Sequence, residues 1–399
     1  MFKDQHLDRY AEVLLWGLKI ARRGRRKKND IILIRYDTAA LPLAERLYGK
    51  LLAAGRRPVQ RLMQTANMER QFFEYTNNQQ LTFIPPGEKE FYKNLNGSIV
   101  LMAPESLTHL SHVDPQTMGK ALKARKPLRN ILDRREETGQ FSWTLAMYPT
   151  PALAEHAGMT VPEYADQIAR ACFINRRQPL THWQSVYRKA QSVKKWLNSL
   201  PIKTLHIESA SIDLEVTPGA HRQWIGISGH NIPSFEIFLS PDWRGTRGVY
   251  YADQPTYRGG NLVTGIRLEF DKGRVVSADA KSGADFLHKL LRTDAGASRI
   301  GEFSLTDRRF SRISRFMANT LYDENFGGKY GNCHIALGSS YSDAYAGNPA
   351  DLTKETKEKL GFNDSALHWD IVNTEKKRVT AHLADGSRTV IYENGLFQN

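Results

Sequence analysis

Ile31-Ile32-Leu33-Ile34 is a short apolar run of the kind a buried strand shows, and what flanks it decides the class of fold. Upstream, Leu7, Tyr10, Ala11, Leu14 and Leu18 recur at helical spacing. Downstream, Leu41 to Ala54 fits a second helix closed by Gly55. Val59, Ser98-Ile99-Val100-Leu101-Met102 and Trp143-Thr144-Leu145-Ala146-Met147 read as further strands separated by helix-length segments. Strands alternating with helices predict an α/β domain with a largely parallel sheet.

Tyr148-Pro149-Thr150-Pro151 breaks this pattern, and Pro162 to Leu200 then reads as mostly helical, with Trp183, Val186, Tyr187, Val193 and Trp196 as its apolar positions. Beyond about residue 203 the pattern changes to alternating strands, such as Ile212-Asp213-Leu214-Glu215-Val216, and to a hairpin from Ile266 to Val276 turning at Asp271-Lys272-Gly273. The organisation expected is therefore an α/β domain over 1–200, ending in a helical bridge, and a β-rich α+β domain over 201–399.

With 399 residues, 41% hydrophobic and 25% charged, the chain is long enough for two buried cores. No apolar stretch approaches the roughly 20 residues that cross a bilayer, and the start lacks the apolar core of a signal peptide, so the expected place is the cytoplasm, with no membrane partner. Only Cys172 and Cys333 are cysteines, which rules out a Cys-ligated zinc site built from this chain alone. Any metal must be held by His and carboxylates. The net charge of +14 peaks at Arg22-Arg23-Gly24-Arg25-Arg26-Lys27-Lys28, but no stacking aromatics are interleaved there, so a solvated helix end is the expected reading and nucleic acid an unlikely partner.

The chemistry concentrates in the second half. In Leu367-His368-Trp369-Asp370-Ile371 the His and the Asp stand two apart, which puts them on one face of a strand. His334 sits in the apolar segment Cys333 to Gly338, while Glu236, Glu302 and Glu324 each lie among apolar neighbours. An ionised carboxylate in such a setting needs a compensating charge, because burying it alone costs several kcal/mol. Singly, each is most often a satisfied core or strand-face residue. Together, the acids and two histidines supply the oxygen and imidazole donors that divalent cations take. No H-E-x-x-H, G-x-S-x-G, P-loop or G-x-G-x-x-G signature is present, and Gly226-Ile227-Ser228-Gly229, one residue short of a nucleophile elbow, reads as a turn.

An ordered series of segments carries a resemblance. It comprises Tyr148-Pro149-Thr150-Pro151, His230-Asn231-Ile232-Pro233-Ser234-Phe235-Glu236-Ile237-Phe238, Gly259-Gly260-Asn261, Gly301-Glu302, Asp323-Glu324-Asn325, Cys333 to Gly338 with Tyr341 beyond, and His368-Trp369-Asp370. Over nearly its whole length the chain resembles the thermophilic aminopeptidase family, metallopeptidases of the aminopeptidase T and S type. The resemblance implies that Glu236, Glu302, Glu324, His334, His368 and Asp370 bind two divalent ions (zinc, cobalt or manganese), with Glu302 as bridge and Tyr341 as the active-site tyrosine. It also implies release of N-terminal amino acids from peptides with a free N-terminus by a water activated at a binuclear metal site, and a homodimer with an N-terminal α/β and a C-terminal metal-binding domain.

Two departures stand out: Phe235 where the family usually has Gly, expected to narrow the site or reshape the substrate pocket, and the glycine-rich segment 326–332, expected to form a mobile flap or to change specificity. Lys281 and Arg244 are the basic residues expected to assist. The competing readings are a non-catalytic basic scaffold for nucleic acid or anionic partners, and another metal-dependent amidase or dipeptidase.

Overall fold

The computed structural model describes residues 2–399. The chain divides into two compact units, 1–184 with 228–234, and 185–227 with 235–399.

In chain order the first unit begins with helix α1 (Asp4–Ile20), β1 (Ile31–Tyr36), α2 (Leu41–Ala53), β2 (Arg57–Leu62), α3 (Ala66–Tyr75), α4 (Asn78–Leu81), α5 (Glu88–Asn94) and β3 (Gly97–Met102). It continues with α6 (Pro115–Glu137), β4 (Trp143–Met147), α7 (Pro151–His156) and α8 (Val161–Ala171), and α9 (Pro179–Ser199) starts in it. Leu7, Tyr10, Ala11, Leu14 and Leu18 are the buried face of α1, as their spacing predicts. Tyr10, itself buried, donates its hydroxyl to the Met147 carbonyl at 2.8 Å, so the helix is keyed to the end of β4 by a polar contact as well as by packing. The strands form a parallel sheet in the order β2-β1-β3-β4, which the short β7 (Asn231–Ile232) extends.

That late strand belongs to the first unit. The compact units part inside α9, between Gln184 and Ser185, and 228–234 returns to the first unit. The physical reason is that strand pairing, not chain order, assigns a segment to a core: Leu145 and Ala146 of β4 pair with Asn231 and Ile232. The basic run also differs in part from a solvated helix end. Arg22 is buried and pairs with buried Asp30 at 2.6 Å, while Arg26 donates to the Lys19 carbonyl at 2.6 Å.

The second unit is rich in antiparallel strands. Its strands are β5 (Ile202–Glu208), β6 (Asp213–Val216), β8 (Glu236–Leu239), β9 (Arg247–Ala252), β10 (Thr256–Arg258), β11 (Asn261–Val263), β12 (Ile266–Asp271) and β13 (Arg274–Asp279). After α10 (Ala284–Leu291) come β14 (Ile300–Thr306), α11 (Thr320–Asp323), β15 (Asn332–Gly338), α12 (Lys354–Lys359), β16 (His368–Asn373), β17 (Arg378–Leu383), β18 (Arg388–Glu393) and β19 (Leu396–Phe397). An eight-stranded sheet runs β13-β12-β9-β6-β5-β17-β18-β19, and a four-stranded sheet runs β16-β15-β14-β8. Every residue of β14 and β15 is buried, polar Glu302, Ser304, Thr306, Asn332 and His334 included, so these central strands have no solvent-facing alternation. Tyr250 of β9 donates to the Ile371 carbonyl at 2.8 Å and lies 3.2 Å from that of Cys333, tying the large sheet to the small one.

Candidate metal centre

The small sheet gathers the expected residues by register. Glu302 on β14 stands opposite Ala336 on β15, and Ala336 opposite Asp370 on β16. One row further, Ser304 faces His334, which faces Val372; one row beyond, Thr306 faces Glu236 on β8. Because residues two apart share a face, Glu236, Glu302, His334, His368 and Asp370 all point to the same side. The small residues Ala336 and Ser304 between them leave that side open to the longer side chains. His368 stands opposite Gly338, whose φ is +102° and where a Cβ would lie 2.1 Å from the Leu367 carbonyl oxygen, so no other residue fits there.

The contacts follow. His334 Nε2 lies 3.1 Å from Glu302, 3.3 Å from Glu236 and 3.9 Å from Asp370. His368 Nε2 lies 3.4 Å from Asp370 and 3.8 Å from the other oxygen of Glu302. Two groups result whose ligand atoms lie within 4.8 Å of one another, Glu236-Glu302-His334 and Glu302-His368-Asp370. Glu302 belongs to both. Glu324, at the end of α11, is not in either group, although its charge acts on theirs. Tyr341, 41% exposed, sets its ring edge-on to His368 at 4.8 Å.

Electrostatics shows how much negative charge the fold has collected. Burial pushes Glu324 well above the usual carboxylate range, and Glu236, Asp370, Glu302 and Asp323 push it the same way. For His334 burial acts downward, but Glu302, Glu236 and Asp370 outweigh it and hold the imidazole at about 9. His368 is likewise held at about 9, burial being overcome by Asp370 and Glu302. Asp370, which burial alone would raise, is kept at about 2 chiefly by His368. Although the residue as a whole is partly exposed, desolvation of the Tyr341 phenol and the carboxylates of Glu302, Asp370, Glu324 and Glu236 raise it well above its ordinary value, so its hydroxyl keeps its proton.

The donor set fits divalent cations. Four buried or half-buried carboxylates converge with two imidazoles, and oxygen and imidazole ligands suit zinc, cobalt or manganese. The His368 tautomer fits too. Its Nδ1 lies 2.8 Å from the Ser339 carbonyl oxygen, which can only accept, so in the neutral form that a cation would bind Nδ1 carries the hydrogen and Nε2 presents its lone pair. His334 Nε2 faces the carboxylates while its buried Nδ1 has no hydrogen-bond partner among the described residues.

Several supporting residues escape a reading of local pattern. Asn325 accepts the Phe235 N–H and donates to the Leu321 carbonyl at 3.0 Å, fixing the backbone just before Glu236. Asp323 accepts the N–H groups of Met317 and Asn319 at 2.7 and 2.9 Å, holding the turn that delivers Glu324. Arg258, at the tip of the β10–β11 hairpin, donates to the His368 carbonyl at 2.7 Å, and its charge helps lower Asp370. The only advance signal for Arg258 is its place before Gly259-Gly260-Asn261. Arg244, one of the two basic residues expected to assist, is instead paired with Asp242 at 2.7 Å.

The segment 326–332 is not a free flap. Gly327 and Gly328 donate to the Ile313 carbonyl, Gly331 to Gly327, and Asn332 to Phe326, so the insertion is folded back on itself and pinned. Phe235 is fully buried, one residue before Glu236.

A sheet that presents clustered carboxylates and imidazoles on one face can hold divalent cations, and comparison with known proteins agrees. Residues 3–397 match the thermophilic metalloprotease (M29) family, and the chain belongs to it. It is therefore an enzyme, a hydrolase of the metallopeptidase class. Aminopeptidase T of Thermus thermophilus is 28% identical over 306 residues, 72% of each chain. Aminopeptidase AmpS of Bacillus subtilis is 26% identical over 327 residues, 77% of this chain and 78% of that one. Aminopeptidase 2 of Geobacillus stearothermophilus is 30% identical over 310 residues, 72% of each chain. Among solved structures, wild-type AmpT from Thermus thermophilus superposes with a TM-score of 0.81 at 23% identity, covering 99% of both chains, and shares the fold.

Proposed function

We propose that this metallopeptidase is an aminopeptidase whose metal centre is binuclear, with Glu236, Glu302, Glu324, His334, His368 and Asp370 as ligands and Glu302 shared. The observation that carries it is that one carboxylate, Glu302, belongs to both ligand groups. The aminopeptidase relatives supply the restriction to peptides with a free N-terminus. Divalent cations held there supply Lewis acidity, polarising a carbonyl and lowering the pKa of water towards about 7. The chain's own part is to hold the ligands on a rigid sheet and to aim Tyr341. In this reading that hydroxyl, a donor at neutral pH, stabilises charge growing on the scissile carbonyl oxygen. The family resemblance extends the proposal to a homodimer working in the cytoplasm.

Chelation is expected to abolish hydrolysis of an aminoacyl amide, and zinc, cobalt or manganese to restore it, while the N-acetylated substrate stays uncleaved. Full activity in protein that elemental analysis finds metal-free would overturn the metal reading. Equal cleavage of blocked and free substrates would make the enzyme another kind of amidase.

Arg258 is proposed as a positioning residue for the His368–Asp370 pair. Arg258→Met is expected to leave the fold intact and to weaken cation binding about 10- to 100-fold, the range for groups that orient ligands. Calorimetric titration of apoprotein reads this directly. Unchanged affinity for both cations would show that the guanidinium only packs.

A further inference from the structure

Outside the metal centre, the first unit holds a second set of chemically matched side chains: Ser228, His230 and Glu136. His230 Nε2 lies 2.6 Å from Glu136 Oε1, and His230 Nδ1 lies 2.8 Å from Ser228 Oγ. An ionised carboxylate only accepts hydrogen bonds, so in the neutral imidazole the hydrogen sits on Nε2 and Nδ1 is left to accept the serine O–H. This is the logic of a nucleophile, a base and an orienting carboxylate, with the two ring nitrogens in exchanged places relative to the serine proteases. The ring is fixed on a further side: Trp143 stacks on it at 4.5 Å, and the indole N–H donates to the other oxygen of Glu136 at 3.2 Å. His230 and Glu136 are largely sheltered, with side chains 16% and 24% exposed, whereas Ser228 is exposed.

The backbone presents that serine. Ile227 adopts φ +50°, an uncommon conformation for a β-branched residue, and Gly229 follows at φ +90°. Gly229 is packed so closely on α1 that a Cβ would lie 2.4 Å from the Gly17 carbonyl oxygen, which fixes the turn beside Ser228.

We propose that Ser228, His230 and Glu136 form a second nucleophilic site that accepts acyl groups from small activated esters, independently of the metal centre. Ser228 Oγ bonds to the acyl carbon as its proton passes to His230 Nδ1. The bond from that carbon to the leaving oxygen breaks, and the oxygen takes the proton from Nδ1 and departs as the alcohol. Water then attacks the acyl-serine, its proton passing through Nδ1 to Ser228 Oγ as the carboxylic acid leaves.

The test is covalent labelling of the full-length, metal-loaded protein with an alkyl fluorophosphonate, in which Ser228 Oγ bonds to phosphorus and fluoride leaves. Peptide mass spectrometry is expected to find the adduct on Ser228. His230→Gln should slow its formation by about 10²- to 10⁴-fold, the contribution of a positioned base. Glu136→Gln, of nearly the same shape, should slow it at least about tenfold, because an amide can stabilise the wrong tautomer; it serves if the histidine variant does not fold. Absence of an adduct on Ser228, or equal labelling rates in wild type and both variants, would overturn the proposal and leave these contacts as anchors of the 228–234 segment.

Discussion

Glu302→Gln is expected to bind neither cation with native affinity and to lose at least about 10⁴-fold in turnover, a modest part of the 10⁶-fold or more that enzymes supply. The reasoning is geometric. One oxygen of Glu302 lies 3.1 Å from His334 Nε2 and the other 3.8 Å from His368 Nε2, so each oxygen faces a different histidine. An amide keeps the size but has only one acceptor oxygen and no charge, so one group loses its Glu302 ligand and the other keeps only a weaker, neutral one. The choice of Gln over Ala matters because Glu302 is 3% exposed within an all-buried strand, where truncation would open a cavity and confuse folding with binding. Titration of apoprotein and elemental analysis of the loaded variant give the answer. Two equivalents bound with near-native affinity would end the shared-ligand assignment even if turnover fell.

Tyr341→Phe is expected to keep fold and metal content and to lose about 10²- to 10³-fold in kcat with little change in KM, the effect of removing one donor to an oxyanion. Its ring is held from two sides, by His368 at 4.8 Å and by Phe238 at 5.7 Å, and its backbone N–H donates to Ser240 Oγ at 2.9 Å. None of these contacts needs the hydroxyl, so Phe should occupy the same place. A packing role for the hydroxyl predicts unchanged kinetics, and a near-native kcat in the Phe variant would leave the metal ions as sole stabilisers of the oxyanion. A rise in KM at constant kcat would instead place the hydroxyl in ground-state binding.

The pinned segment 326–332 bears on where specificity is sought. Its glycines suggest mobility by composition, yet Gly328 and Gly331 adopt positive φ in a turn closed by hydrogen bonds to Ile313 and Gly327. Composition reports what a backbone is free to do. Whether it is held depends on partners elsewhere in the chain.

The sequence by itself determined the local features. Helical spacing over 7–18 named the buried face of α1, and the apolar runs at 98–102 and 143–147 located β3 and β4. The scarcity of cysteine limited the donors to His and carboxylates, and two-residue spacing placed His368 and Asp370 on one face. These are properties of a segment, set by backbone periodicity within a few residues. Only the tertiary structure decided which segments meet. Glu236, Glu302 and His334 converge because β8, β14 and β15 pair in one register, and a slip of one residue would turn any of them to the opposite face. The same holds for Asn231 and Ile232 joining the first sheet, for Arg258 reaching the His368 carbonyl, and for Glu136 meeting His230 from 94 residues away. Pairing and register are fixed by the packing of distant apolar faces against one another, a condition that no local window of sequence contains.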